Sequence, residues 1–265
     1  MYALLALINL LTIKAAGSHR VARGIAYIPG DHHKLDVYAP VAGNGPWPVI
    51  YFLYGGAWKM GNRAYYEFVA RALAAEGFVV VVPDYRALPD VEYPVFIEDC
   101  AEGLRWVLRE IASYGGDAGR LALMGHSAGA YNAVMLALDP RYGAMGSVRA
   151  VVGLSGPFDF FPFAVPITLR TFGAADDPRS TQPIPLVTPN APPMFLGHGS
   201  RDTLVGAHNT INLAAALRQA GVPVVERHYE TLDHPGTLLA LGGPAKRKAP
   251  VLSEVATFLK QTLVR

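Results

Sequence analysis

The residues Gly125-His126-Ser127-Ala128-Gly129 offer the plainest chemistry in the chain. They follow a short apolar run, Leu121 to Met124, and lead into the small-residue stretch Ala128 to Leu138. That order reads as a strand, a tight turn and a helix. A serine on such a turn has strained backbone angles, and only small residues two before and two after it leave room for strand and helix to approach. The turn pushes the Ser127 hydroxyl into the open and aims a helix N-terminus at it. The N–H of Ala128 then points to where negative charge forms when the hydroxyl attacks a carbonyl. In this context the pattern predicts a nucleophilic serine, and an ordinary glycine turn is the bland alternative.

A second pattern, Tyr54-Gly55-Gly56-Ala57-Trp58, directly follows the apolar run Val49 to Leu53. Consecutive glycines let backbone N–H groups come close to a bound molecule. The loop after this strand supplies the rest of the oxyanion hole in enzymes built around such a turn, so the N–H groups of Gly56 and Ala57 are expected to join that of Ala128.

A nucleophilic serine needs a base, and the base needs a carboxylate to orient it. The expected chain order is serine, acid, histidine. After the run Met194 to Leu196 comes Gly197-His198-Gly199-Ser200-Arg201-Asp202, and after Val222 to Tyr229 comes Leu232-Asp233-His234. Asp202, 75 residues beyond Ser127, is the expected acid, and His234, 32 residues further, the expected base. Asp233 and Asp159 are rival acids. Asp233 is the histidine's own neighbour and such a neighbour rarely reaches Nδ1, whereas Asp159 follows another strand, Ala150 to Leu154. Asp84, in Pro83-Asp84-Tyr85-Arg86, reads as a loop anchor that takes a nearby donor. His126 precedes the serine and should point away from it. His198 at a strand end, His228 within a strand, and His19, His32, His33 and His208 on surface-like segments all read as structural. No H-E-x-x-H or other metal spacing occurs, and the chemistry calls for no metal and no cofactor.

These groups can meet only if a frame carries them. Short apolar runs alternate with helical patterns, which argues for βαβ units. Ile25 to Ile28 and Leu35 to Tyr38 flank a polar turn and read as an antiparallel hairpin. Val49 to Tyr54, Phe78 to Val82, Leu121 to Met124, Ala150 to Leu154, Met194 to Leu196 and Val222 to Tyr229 read as strands. Phe68 to Leu73, Phe96 to Leu108, Ala128 to Leu138, Ile211 to Leu217 and Val251 to Val264 read as helices. The expected fold is α/β, a mostly parallel sheet of about eight strands with helices on both faces, in one domain over residues 1–265. Phe158 to Pro193 breaks the rhythm, is rich in Pro and Phe, and reads as an irregular, lid-like segment.

Composition fits that frame. Of 265 residues 51% are hydrophobic and only 17% charged, which suits a large core covered on both sides. The net charge is +2 and the basic residues are scattered apart from Lys246-Arg247-Lys248, so there is no nucleic-acid footprint. The single cysteine, Cys100, excludes an internal disulfide and a cysteine-based metal site. The apolar stretch Leu4 to Ile13 is too short to span a bilayer. Residues 1–20 read either as a signal remnant, with Ala15-Ala16-Gly17 resembling a cleavage site, or as an arm lying across the body. The compartment, cytoplasmic or exported, stays open between those two readings.

Leu35-Asp36-Val37-Tyr38-Ala39-Pro40, Tyr54–Trp58, Pro83–Arg86, Gly125–Gly129, Gly199–Asp202 and Asp233-His234 together resemble the α/β-hydrolase superfamily. Within it they resemble the carboxylesterases related to hormone-sensitive lipase, kynurenine formamidase and the feruloyl/acetylxylan esterases. One residue departs from the pattern. Those relatives carry a histidine that braces the oxyanion loop where this chain has Tyr54, which puts the bracing in question. The resemblance implies hydrolysis of a small-molecule ester through an acyl-enzyme. Trp58 and Phe158 are expected to line the substrate site, with Phe160, Phe161 and Phe163 as a wall or small lid. The lack of a large inserted cap favours short-chain acyl or aryl esters. An arylformamidase or other amidase, a dipeptidyl-type peptidase, and a non-catalytic binding protein on the same fold are the alternatives.

Overall fold

Runs such as Val79-Val80-Val81-Val82 suit only a strand buried on both faces, and none of these four valines is exposed. In a computed structural model of the protein, which describes residues 7–9, 11, 16–144 and 146–263, such runs become an eight-stranded sheet. The strands are β1 (Ser18–Ala26), β2 (Lys34–Pro40), β3 (Trp47–Leu53), β4 (Val79–Pro83), β5 (Gly116–His126), β6 (Val148–Leu154), β7 (Met194–Gly199) and β8 (Val224–Tyr229). Their order across the sheet is β1-β2-β4-β3-β5-β6-β7-β8. β2 pairs antiparallel with both β1 and β4, and the pairs from β4 through β3 to β8 are parallel.

The helices are α1 (Glu67–Ala75), α2 (Val95–Glu110), α3 (Ala128–Leu138), α4 (Pro166–Phe172), α5 (His208–Gln219), α6 (His234–Gly242) and α7 (Val251–Leu263). α1, α6 and α7 pack on one another, and α2 packs on α3. At Gly242 a Cβ would meet the Phe68 carbonyl and Ala72, so the end of α6 lies directly on α1.

The expected α/β sheet is present, and the differences lie at its margins. β1 starts well before Ile25, because Ser18, His19 and Arg20 pair with Pro40, Ala39 and Tyr38. The irregular stretch after β6 contains α4, a helix too short for periodicity to reveal, and two 3-10 turns, Pro178–Thr181 and Ile184–Leu186. α6 was not anticipated. It begins at His234 itself, with the Asp233 side chain capping it by accepting from Gly236 N–H at 3.0 Å. Of the N-terminal segment, residues 1–6, 10 and 12–15 lie outside the described residues. Ile8 is buried, and Asn9 Oδ1 accepts from Phe68 N–H at 3.0 Å, so this part rests on the start of α1.

Register decides where chemistry can happen. Leu53 lies beside Gly125, His126 beside Leu154, Leu154 beside Gly197, and Gly199 beside Tyr229. The C-terminal ends of β3, β5, β6, β7 and β8 therefore share one edge. In open α/β sheets, the crevice outside that edge is where ligands bind.

Candidate active site

β5 ends at His126 and α3 starts at Ala128, so Ser127 is the whole turn between them. Its φ of 55° and ψ of −126° form a conformation that costs a non-glycine residue about 1–3 kcal/mol. The neighbours explain how the turn is tolerated. A Cβ on Gly125 would fall on the Gly129 carbonyl, and one on Gly129 on the Leu53 carbonyl. Ser127 N–H donates to Leu154 O at 2.9 Å, which ties the turn to β6.

The three side chains expected to work together are in contact. His234 Nε2 is 2.9 Å from Ser127 Oγ, and His234 Nδ1 is 2.7 Å from Asp202 Oδ2. The other oxygen of Asp202 accepts from the N–H groups of Leu204 and Val205, each at 2.9 Å. Burial works against charge on Asp202, but the bonds from His234 and these N–H groups outweigh it and hold the carboxyl below its ordinary value. A carboxylate can only accept, so His234 Nδ1 is the donor to Asp202, and Nε2 is the ring nitrogen that faces the serine hydroxyl.

Two further histidines are bound into this side. His126 Nε2–H donates to the backbone carbonyl of His234 at 2.9 Å. Burial, with the nearby His234 as a second cause, pushes the His126 ring down to about 3, so it stays a neutral donor. His126 thereby braces the residue that faces the serine hydroxyl. His198 is fully buried at the end of β7, with Nε2 3.0 Å from Val205 O and Nδ1 3.1 Å from the Thr210 hydroxyl. Burial lowers its pKa, and it supports the loop that carries Asp202. Of the rival acids, Asp233 caps α6, and Asp159 accepts from Asn212 Nδ2 at 2.6 Å. Neither is bonded to His234 among the described residues.

On the other side of Ser127 the loop after β3 is packed against the turn. A Cβ on Gly55 would stand 2.9 Å from the Ser127 Cβ and 2.8 Å from the His126 carbonyl. The loop then passes through two left-handed non-glycine residues, Ala57 at φ 53° and Trp58 at φ 52°. The N–H groups of Gly56 and Ala57 have no acceptor among the described residues, and that of Ala128, first in α3, has none within the helix.

The brace left in question at Tyr54 has a structural answer. The ring is stacked between Tyr66, at 5.1 Å and 10°, and Tyr85, at 4.7 Å and 20°. Its hydroxyl donates to Asp84 Oδ1 at 3.1 Å, and Arg63 N–H donates to the same oxygen at 2.7 Å. Asp84 is thus the loop anchor its sequence context suggests. The Tyr85 hydroxyl donates to Tyr54 O at 2.6 Å and the Tyr66 hydroxyl to Gly55 O at 2.9 Å. Arg86 in turn holds Asp99 through its N–H at 3.0 Å and its guanidinium at 2.7 Å. Tyr66 and Tyr85 were not singled out from sequence. The only hint was the cluster of tyrosines close in sequence to the Gly-Gly loop and to Asp84.

The aromatic residues expected at the substrate site divide. Trp58 is 4% exposed, with its indole N–H on Asn132 Oδ1 at 3.1 Å and its ring against Tyr131 and Phe172. Its ring is thus taken up by packing and by the bond to Asn132. Phe158 is fully buried, and a Cβ on Gly153 or Gly156 would strike its ring, so it presents no surface to a substrate. That corrects the expectation. The Pro157-Phe158 pair turns inward because Asn209 Oδ1 takes the N–H groups of Phe158 and Asp159, each at 2.7 Å. Phe160 and Phe163 are half-buried beside Phe172, and Phe161 is exposed.

The chain is similar to several known proteins. The family described as BD-FAE matches residues 35–217. Esterase LipC of Mycobacterium tuberculosis is 31% identical over 82% of this chain and 59% of its own length. A probable isoprenylcysteine alpha-carbonyl methylesterase of Oryza sativa subsp. japonica is 28% identical over 91% of this chain and 63% of its own. The chain therefore spans about three-fifths of the length of these relatives. Among solved structures, a truncated carbohydrate esterase from gut microbiota superposes with a TM-score of 0.82 at 21% identity, covering 95% of this chain and 99% of that one. A thermostable esterase from Pseudomonas putida gives 0.76 at 22% identity, covering 99% and 89%. These likenesses establish the α/β-hydrolase fold. No helix among the described residues is long and apolar enough to cross a membrane.

Proposed function

The chain belongs to the BD-FAE family, and from that premise we propose that it is a serine carboxylesterase acting on short-chain acyl or aryl esters of small molecules. The observation that carries this reading is the unbroken relay Ser127 Oγ, His234, Asp202, at 2.9 and 2.7 Å, beside the Gly56 and Ala57 N–H groups, which have no acceptor among the described residues. Relatives named as esterases add support.

In the proposed mechanism His234 Nε2 takes the proton of Ser127 as Oγ attacks the ester carbonyl. The oxyanion is met by the N–H groups of Gly56, Ala57 and Ala128, each worth about 3 kcal/mol of transition-state stabilisation. His234, held by Asp202, returns the proton to the leaving alcohol, and water then releases the acid by the same route. Asp202 stays ionised throughout and keeps His234 in the tautomer that can accept.

A short acyl group is favoured by what fills the space around Trp58. Tyr131, one turn into α3, is fully buried and meets the rings of Trp58, Phe160 and Phe172 edge-on, and Phe160 tilts against Phe172. A long acyl chain directed into this cluster would have to displace close-packed rings. Hydrolysis of p-nitrophenyl acetate, butyrate and octanoate by the wild type and by Ser127→Ala tests both parts. The expected result is a fall in rate from butyrate to octanoate, with all activity lost in the variant. Octanoate cleaved faster than acetate would overturn the size assignment, and a folded wild type inert to all three would overturn the esterase assignment.

A further inference from the structure

A planar peptide ties each N–H to the preceding residue's carbonyl, which points the opposite way. The direction of Gly56 N–H is therefore set by Gly55 O, and that of Ala57 N–H by Gly56 O. Both carbonyls are held. Gly55 O accepts from the Tyr66 hydroxyl at 2.9 Å, and Gly56 O from Lys59 N–H at 3.2 Å. The Tyr66 side chain is buried, in the 3-10 turn Arg63–Tyr66, and stacked on Tyr54, so its hydroxyl has little freedom to move.

We infer that Tyr66 is a positioning residue for the oxyanion hole: its hydroxyl clamps the Gly55–Gly56 peptide so that Gly56 N–H faces the developing oxyanion. This rests on the reading of Gly56 and Ala57 as the oxyanion donors. The clamp does two things. It removes a rotation of the peptide that would turn the donor out of the site. It also polarises the amide, because a hydrogen bond to the carbonyl oxygen strengthens donation from the same peptide's N–H. Neither effect requires Tyr66 to touch the substrate. The benefit falls on the transition state, where the oxyanion exists, and hardly at all on the bound ester.

The molecule contains its own control. The Tyr85 hydroxyl holds Tyr54 O at 2.6 Å, but that peptide carries the N–H of Gly55, one residue too early to be a proposed donor. The two hydroxyls belong to buried tyrosines on opposite faces of the same Tyr54 ring.

The test compares Tyr66→Phe, Tyr85→Phe and Ser127→Ala with the wild type. The readouts are kcat and KM for p-nitrophenyl butyrate and the inhibition constant of an aryl trifluoromethyl ketone, whose serine adduct carries an oxyanion. Rates of the wild type and the two tyrosine variants are normalised to the serine labelled to completion by a fluorophosphonate, so that partial misfolding does not count as lost catalysis, and folding of Ser127→Ala is checked by circular dichroism. Tyr66→Phe should lower kcat about tenfold with KM within about twofold, and weaken the ketone by the same factor as kcat. Tyr85→Phe should cost less than about threefold in kcat. Unchanged kcat in Tyr66→Phe, or equal losses in the two variants with a raised KM, would overturn the clamp while leaving the esterase reading intact. Full activity in Ser127→Ala would instead remove the esterase reading, and the clamp with it.

Discussion

On the His234 side of Ser127 the proposed working atoms belong to side chains, and each is held by a bond to the next. Asp202 takes His234 Nδ1 with one oxygen and two backbone N–H groups with the other, while His126 takes the carbonyl of His234. On the Gly56 side the proposed working atoms belong to the backbone. Their direction comes from carbonyls held at the back of the loop by Tyr66 and Lys59, with the Tyr54 ring and Asp84 packed behind them. A side-chain machine announces itself by residue type. A backbone machine is specified by residues whose types say nothing about catalysis.

The largest effects should come from the side-chain side. Ser127→Ala should lower kcat by about a millionfold, read with p-nitrophenyl butyrate. Asp202→Asn preserves shape but forces the wrong tautomer on His234, and should cost about 10⁴ in kcat. If Asp202→Asn cost no more than a few-fold, the contrast would fail at its stronger side. The backbone side should give a smaller but clear loss. In Gly55→Ala the new methyl meets the Ser127 Cβ and the His126 carbonyl, so the loop must retreat, and kcat should fall about a hundredfold with KM little changed. A wild-type rate in Gly55→Ala would mean that the loop can move without consequence.

The smallest effect is on stability and sharpens the contrast from the acid side. Asp99 holds Arg86, and so the loop that carries Asp84 and Tyr85. Burial opposes its charge, but the hydrogen bonds and charge of Arg86 outweigh burial and keep the carboxyl below its ordinary value. A carboxyl that is more acidic folded than unfolded stabilises the fold above the unfolded value. That contribution disappears as pH falls through the folded value. Asp99→Asn should therefore cost roughly 1–2 kcal/mol at pH 7 and flatten the acid limb of thermal stability. Thermal melts from pH 7 to pH 3 check this, and an acid limb as steep as the wild type's would show that Asp99 is not its source.

This contrast also explains what could be read from the sequence. The strand, turn and helix around Ser127 were legible because only glycine fits at positions 125 and 129. Asp202 and His234 were legible because parallel strands deliver their loops to one edge in chain order. The same periodicity placed seven of the eight strands and five helices. It missed α6, whose sequence His234-Pro235-Gly236 looks like a turn until Asp233 caps it, and α4, which is barely two turns long. Phe158 was misread because hydrophobicity in a loop does not say which way the ring turns. Here Asn209, on α5 and 51 residues away, decides it. Tyr66 was hidden for a related reason, since its task depends on a carbonyl, and every residue has one.

The Tyr54 ring has one more consequence, and it concerns how such a chain can change over time. Gly61 has a φ of 151°, and a Cβ there would land on that ring. Positions 54 and 61 are therefore not independent variables. With tyrosine at 54, any side chain at 61 is excluded. With histidine at 54, the smaller ring would leave unfilled space beside Gly61, Tyr66 and Tyr85. A lineage could reach the present arrangement by accepting glycine at 61 before the larger ring at 54, whereas the reverse order passes through a clash. Glycine at 61 is thus a precondition for tyrosine at 54, and the larger ring then admits nothing else at 61.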